Sequence, residues 1–195
     1  GHKQVYHTGG LLGTVTQFTM IPDLNLAIVV LTNQMNGRAF NTITNTIKDA
    51  YLGYENRDWL KNYGSSHVRN LKYNDSIKAS VFAQVDKMNG SKLLPQPKQI
   101  VGTYKDAWFG NIIISHDGKN YTIKSERSSQ LVGELLPYSP TTYVAKWNNR
   151  SFDADVFVNF TFDKDGKAQL ATMKFVAPIT DFSFDFEDLE LKRID

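Results

Sequence analysis

The sequence predicts an α+β protein: a small antiparallel sheet with one amphipathic helix, a helical connector, and a small antiparallel β-barrel or sandwich of about eight strands. Three observations carry this. Leu26 to Thr32 is branched and apolar on both faces, directly after a Pro22-Asp23 turn. Phe40, Ile43, Ile47 and Ala50-Tyr51 recur at helical spacing. From Ile100 onward, short period-two segments are separated by turn residues and not by helices.

Taken in order, Val5 to His7 is extended and runs into Thr8-Gly9-Gly10. Thr14 to Met20 alternates, with Thr16, Phe18 and Met20 on one face and Val15, Gln17 and Thr19 on the other. Leu26 to Thr32 then reads as an antiparallel neighbour that needs cover on both sides. Asn36-Gly37 closes this unit, and the following helix ends near Gly53. Two strands and a helix bury little surface, so residues 1–53 read as the edge of something larger. Residues 54–94 read as the connector. Asp58 can cap a helix at Trp59-Leu60, and Ser76 to Met88 repeats Ile77, Val81 and Val85 at helical spacing.

Leu93-Leu94-Pro95-Gln96-Pro97 marks a boundary, and residues 95–195 form a separate β-domain expected to fold on its own. Its strand signals are Tyr104, Ile112 to Ile114, Tyr121 to Ile123, Gln130 to Leu136 and Tyr143 to Trp147. Val156 to Phe162 follows, and Asp163 to Gly166 turns the chain into Ala171, Met173 and Phe175. Phe182, Phe184 and Phe186 alternate with Ser183 and Asp185, which reads as one more strand with a phenylalanine face turned inward.

Composition narrows the function classes. Twenty-two Lys and Arg against 20 Asp and Glu give a net charge of +2, and the basic residues are interrupted by acids throughout. That pattern lacks the concentrated positive surface nucleic acid requires. The absence of cysteine removes disulfides, thiolate metal sites and a cysteine nucleophile. The longest apolar run, Leu26 to Leu31, is too short to cross a bilayer as a helix. Gly1 followed by His2 and Lys3 reads as a processed start, with Gly1 a tag remnant and a targeting signal and much of a parent protein expected upstream.

Two groups of residues are candidates for chemistry. His7-Thr8-Gly9-Gly10 sets an imidazole beside a hydroxyl, with glycines that admit a ligand close to the backbone; the plain alternative is a strand end turning through glycine. Trp108, Phe109, Tyr143 and Trp147 are either core and rim packing or an aromatic platform for a glycan or peptide. Asp163-x-Asp165-Gly166 reads as a hairpin turn, because a calcium loop wants an acid where Thr161 stands and a glutamate near Thr172. No metal and no cofactor are expected.

Residues 7–10, the Leu31-Thr32-Asn33 run and the helix ending Ala50-Tyr51-Leu52-Gly53 resemble the C-terminal end of the serine beta-lactamase-like fold, nearest to its class C and penicillin-binding-protein-like hydrolases. That resemblance implies three active-site elements, of which His7, Thr8 and Gly9 match only the third. Histidine in place of lysine is closer to the esterase and peptidase-like members. The Ser-x-x-Lys element is missing: Ser65 leads to Val68, Ser76 to Ala79 and Ser115 to Gly118, and the other serines fail equally. Tyr73-Asn74 has the wrong spacing for the second. Val101 to Tyr104, Trp108 to Gly110, Asn159 to Phe162 and Phe186 to Arg193 resemble the C-terminal extension that many of these proteins carry. The resemblance implies a parent serine hydrolase acting on an amide or ester, such as a cell-wall or D-amino-acid peptide, in an extracytoplasmic compartment. This chain alone is expected to be inactive. The alternative is a non-catalytic binding or structural module for a cell-envelope peptide or glycan. Expected partners are the missing N-terminal part, a peptide or glycan ligand, and a second copy through residues 1–53, with the Ile77, Val81 and Val85 face as the competing cover for that segment.

Overall fold

The structure, a computed structural model, describes residues 1–55 and 57–195, with Phe182 described in its backbone alone. The architecture is α+β: an N-terminal three-stranded sheet, helices, and a closed eight-stranded antiparallel barrel. The chain divides into two compact units, Gly1–Tyr73 and Asn74–Asp195.

In the first unit, β1 (Val5–Leu11), β2 (Thr14–Ile21) and β3 (Leu26–Leu31) form an antiparallel sheet in that order. The glycines at 9 and 10 therefore continue the first strand, which pairs with β2 from Val5↔Met20 to Leu11↔Thr14. Helix α1 (Gly37–Leu52) starts where the Asn36 side chain accepts from the Arg38 N–H at 3.1 Å, and it ends at Gly53 in the left-handed region. Phe40 and Ile47 pack on Ile21, Leu26, Ile28 and Val30. Ile43 stays exposed, because the stripe that meets the sheet runs through Phe40, Thr44 and Ile47.

The two faces of this sheet are unusual in opposite ways. The covered face of β2 carries Gln17 and Thr19, tied to α1 where Thr44 donates to the Gln17 carboxamide oxygen at 2.6 Å and Gln17 donates to Asn41 at 3.3 Å. The other face presents Val5, Phe18, Met20, Val29 and Leu31 to solvent, with Val29 and Leu31 62% and 75% exposed. An apolar face of this kind marks a candidate interaction surface.

Helix α2 (Trp59–Met88) is one uninterrupted helix of 30 residues where two separate helical patterns are legible in the sequence. No proline lies between them, and a single Gly64 is a tolerable cost in a helix. Residues 74–88 belong to the second unit, where Val81 and Val85 pack with Val144 and Val176 of the barrel domain.

The barrel runs β4 (Gly102–Asp106), β5 (Gly110–His116), β6 (Tyr121–Ser125), β7 (Val132–Pro137), β8 (Thr142–Trp147), β9 (Val156–Phe162), β10 (Ala168–Phe175) and β11 (Leu191–Arg193), each pairing antiparallel with its neighbours and β11 closing onto β4. Closure settles barrel against sandwich. Period-two alternation sends Ile112, Ile114, Val156, Val158 and Met173 inward, with Tyr104 and Trp147 filling the centre. Asp155, almost fully buried, is held by a bidentate bond from Arg150 at 2.6 and 2.7 Å that braces the β8–β9 connection.

One strand predicted from the alternation of Phe182, Phe184 and Phe186 does not form. Two single 3-10 turns, Phe182–Phe184 and Phe186–Asp188, stand there, separated by Asp185 at φ 54°. Asp181 accepts from the Ser183 N–H at 2.9 Å, a local turn bond that competes with the ladder. Asp185 tolerates the left-handed region, so the chain folds back. Phe186 then plugs the barrel, stacked on Trp147 at 5.7 Å and on Phe184 at 5.3 Å. The expectation that Phe182 points inward lies outside what is described.

The closing strand is only three residues long and is anchored by Arg193. Its guanidinium, in a side chain 6% exposed, donates to the Gln99 carbonyl at 3.1 Å, to the Val101 carbonyl and to the Asp195 carboxylate at 2.9 Å. It also lies 5.7 Å from the Tyr104 ring centroid. Helix α3 (Pro97–Ile100), which supplies two of these partners at its end, seals this mouth with the fully buried Ile100. Gly102 leaves the room, since a Cβ there would sit 2.8 Å from the Arg193 Nη2. Arg193→Ala is expected to lower barrel stability by about 2–4 kcal/mol, because buried carbonyls lose their donor. Arg193→Lys should recover only part, lacking the fork. Urea unfolding followed by tryptophan fluorescence measures both.

Candidate functional site

His7, Thr8 and Gly9 sit together on β1, an edge strand that pairs with β2 on one side and with no other strand among the described residues. Strand alternation points them apart. His7 lies opposite Phe18 and shares the open apolar face with it and with Val29. Thr8 lies opposite Gln17, whose side chain turns toward α1, so the imidazole and the hydroxyl leave opposite faces and share only the free edge. No hydrogen bond or ion pair among the described residues holds the His7 side chain. Gly9 has a local reason to be glycine: a Cβ there would stand 2.9 Å from the Thr16 hydroxyl oxygen, which donates to the Gly9 carbonyl at 3.5 Å. Thr32, of the Leu31-Thr32-Asn33 run, closes the ladder by donating to the Val15 carbonyl at 2.7 Å.

These residues supply a partial wall. Acyl transfer needs a nucleophile with an activating base and oxyanion donors around it, and the described residues bring none of these to His7. The described residues also hold no group of three or more His, Cys, Asp or Glu able to bind a metal.

The aromatic set predicted as a ligand surface divides. Tyr143 is fully buried, packed edge-on against Phe160 at 5.7 Å and Tyr121 at 5.8 Å. Its hydroxyl has no hydrogen-bond partner among the described residues, and burial pushes its pKa well above the usual tyrosine range, with the neighbouring Tyr121 adding to the shift. Trp147 is 1% exposed and donates from its indole N–H to the Ala154 carbonyl at 2.8 Å. Both are interior residues and offer no surface. Phe109 is half-buried, edge-on to Phe186 at 6.3 Å. Trp108 alone stands in solvent, 63% exposed.

The sequence reading missed what holds Trp108. One Asp106 carboxylate oxygen accepts from both the Trp108 and the Phe109 N–H at 2.8 Å, and the other accepts from Glu190 N–H at 3.1 Å. Arg127 reaches across from the β6–β7 connection and donates to the Trp108 carbonyl at 2.6 Å. Gly110, at φ 88°, turns the chain into β5, and a Cβ there would meet Arg127 at 2.8 Å. The Asp-x-Trp-Phe-Gly spacing is a legible turn signal; the Arg127 bond, from 19 residues away, has none. Asp163 is spent likewise, accepting from the Asp165 and Lys167 N–H groups at 2.9 and 2.8 Å and from Gln169 at 2.8 Å.

A separate cavity of about 270 Å³ on the barrel flank is lined by Val85, Asn89, Leu94, Asn120, Tyr121 and Leu136, among others. None of His7, Thr8, Gly9, Trp108, Phe109, Tyr143 and Trp147 lines it.

The second unit thus holds a closed, filled antiparallel barrel that presents one braced, exposed tryptophan. Residues 96–193, 98 of the 195, match a family described as a domain of unknown function, DUF3471, and the chain belongs to that family. No curated protein sequence matches the chain. Among solved structures, the crystal structure of SurE with D-Leu is similar at 14% identity and a TM-score of 0.37, over 98% of this chain; the chain spans 35% of that protein's length.

The Asp106 bonds make barrel stability acid-sensitive. The Phe109 N–H, foremost, with those of Glu190 and Trp108, holds the Asp106 carboxyl below its ordinary range against an opposing contribution from burial. A depressed carboxylate pKa adds stability that is present above the unfolded value, near about pH 4. That stability is lost as pH falls through the lower folded value. Asp163 is depressed in the same direction, chiefly by the Lys167 N–H. The melting temperature is expected to hold from pH 7 to about 5 and to drop below about pH 4. Asp106→Asn should flatten part of that drop, as read by thermal scans across the pH series.

Proposed function

We propose that this chain is the C-terminal part of a serine hydrolase of the beta-lactamase-like, penicillin-binding-protein-like group, followed by a DUF3471 barrel as its accessory domain. The parent acts on an amide or ester, of the cell-wall or D-amino-acid peptide type, in an extracytoplasmic compartment. The observation that supports the reading is the position of His7-Thr8-Gly9 on the free edge strand of an antiparallel sheet whose other face is closed by a C-terminal helix. Residues outside the chain supply the nucleophilic serine and its lysine. His7 then orients the substrate or stabilises developing charge, reaching the cleft across the strand edge, while Gly9 admits the substrate backbone.

A serine-reactive fluorophosphonate probe tests this. The longer protein, read from a frame containing an upstream Ser-x-x-Lys and a tyrosine element, should label covalently and stoichiometrically. The 195-residue chain should not label and should leave p-nitrophenyl esters at their background rate. A longer frame without either element sinks the hydrolase reading.

The open face with Phe18, Val29 and Leu31 belongs, in this reading, against the upstream part of the parent. Val81 and Val85 are engaged by the barrel, so the chain taken alone covers that face by associating with a second copy. Sedimentation of the chain should show concentration-dependent association that Val29→Lys with Leu31→Lys abolishes. A concentration-independent monomer in both proteins would defeat this.

A further inference from the structure

We propose that Trp108 is a carbohydrate-stacking platform: a surface on the barrel that binds a pyranose oligosaccharide through the indole face, with Arg127, Glu126 and Asn111 meeting the sugar hydroxyls. The inference concerns the barrel alone and rests on no part of the hydrolase reading.

The barrel has few ways to hold a ligand. Its interior is taken up by Tyr104, Tyr143, Trp147, Phe160 and Phe186. All eight strands pair on both sides, so no edge is free to add a peptide strand. Beside the cavity on its flank and another of about 320 Å³ lined by Lys105, Asp106 and Ala107, recognition falls to side chains standing out from the rim, and Trp108, 63% exposed, is the exposed aromatic there. An indole covering the core would be mostly buried, as Trp147 is.

The support beneath Trp108 is what separates it from an incidental surface aromatic. Asp106 fixes the two backbone N–H groups around it, Phe109 anchors the next residue on Phe186, and Arg127 clamps its carbonyl across the top of Gly110. Four side chains hold this one loop while the indole they position touches little of the protein. A rigid aromatic presented at low conformational cost suits a weak, face-on ligand.

The surroundings favour sugar over peptide. Asn111 follows the Gly110 turn, and its carboxamide donates to the Glu126 carboxylate at 2.9 Å, next in sequence to Arg127. A carboxamide, a carboxylate and a guanidinium are planar groups that bond adjacent hydroxyls in pairs. The C–H face of a pyranose stacks on an indole while its equatorial hydroxyls point outward to such groups. An extended peptide would need a free strand edge, which the closed barrel lacks.

The indole N–H signal of Trp108 in a two-dimensional NMR titration of the full chain is the direct readout, with β-linked tetramers of glucose and of N-acetylglucosamine as probes and a soluble cell-wall-type tripeptide as the contrast. Millimolar saccharide should shift that signal and leave Trp147 unmoved. Trp108→Ala should weaken binding by about tenfold or more at an unchanged melting temperature, and Trp108→Phe should recover part of it. Glu126→Gln should weaken binding while keeping the stack. No shift with either saccharide, a shift surviving in Trp108→Ala, or a response to the peptide alone overturns the proposal. None of these outcomes bears on serine labelling of the longer protein.

Discussion

Everything in the second unit depends on the closure of an eight-stranded ring by a three-residue strand. A strand this short carries few ladder bonds, two register pairs to β10 and two to β4. The Arg193 guanidinium makes up the difference by binding the carbonyls on either side of Ile100 and thereby fixing the end of α3 over the barrel mouth. Burial raises the nearby Tyr104 hydroxyl to a pKa of about 12, only partly offset by Arg193, so the phenol stays neutral and donates to the Ile100 carbonyl at 2.8 Å. One side chain thus joins strand, cap and core. Without closure the barrel would present two open edges, and an open edge pairs with whatever strand it meets.

How much of this was legible in the sequence varies by element for physical reasons. The three N-terminal strands, α1 with its Asn36 and Gly53 ends, and seven barrel strands declare themselves through periodicity and turn residues. The eighth does not: Leu191 to Arg193 is too short for a period, and its pairing partners lie far away in sequence. The Phe182 to Phe186 alternation misleads because a period of two also arises when a turn lays two rings, here Phe184 and Phe186, over a hydrophobic opening. Tyr143 and Trp147 show the same limit in reverse, since aromatic composition does not say which face of a strand looks inward. At the N-terminal candidate site the residues were legible and their faces were not, because the register that sets His7 beside Phe18 and Thr8 beside Gln17 comes from β2.

The first unit sets a polar seam within its sheltered face. Gln17, Asn41 and Thr44 are hydrogen-bonded there beside the apolar cluster of Ile21, Leu26, Ile28, Val30 and Phe40, while the open face presents Val5, Phe18, Met20, Val29 and Leu31. A buried polar seam contributes little net stability, but it fixes the position of α1 along the sheet, since a slip would leave a carboxamide unpaired in the interior. The open face leaves Phe18, Met20, Val29 and Leu31 in water, with His7 beside Phe18.

The pairing of β11 with β4 has a further consequence for how this barrel can travel. It brings the start of the DUF3471 segment beside the residues that follow its end, with the Ile194 N–H donating to the Thr103 carbonyl at 3.0 Å and the Asp195 carboxylate accepting from the Thr103 N–H at 2.9 Å. A domain that enters and leaves at one point can be spliced into a host chain with little disturbance to the host's own path. The same adjacency would let a short linker join residues 96 and 195 while new ends open in the Ser139 to Thr141 turn.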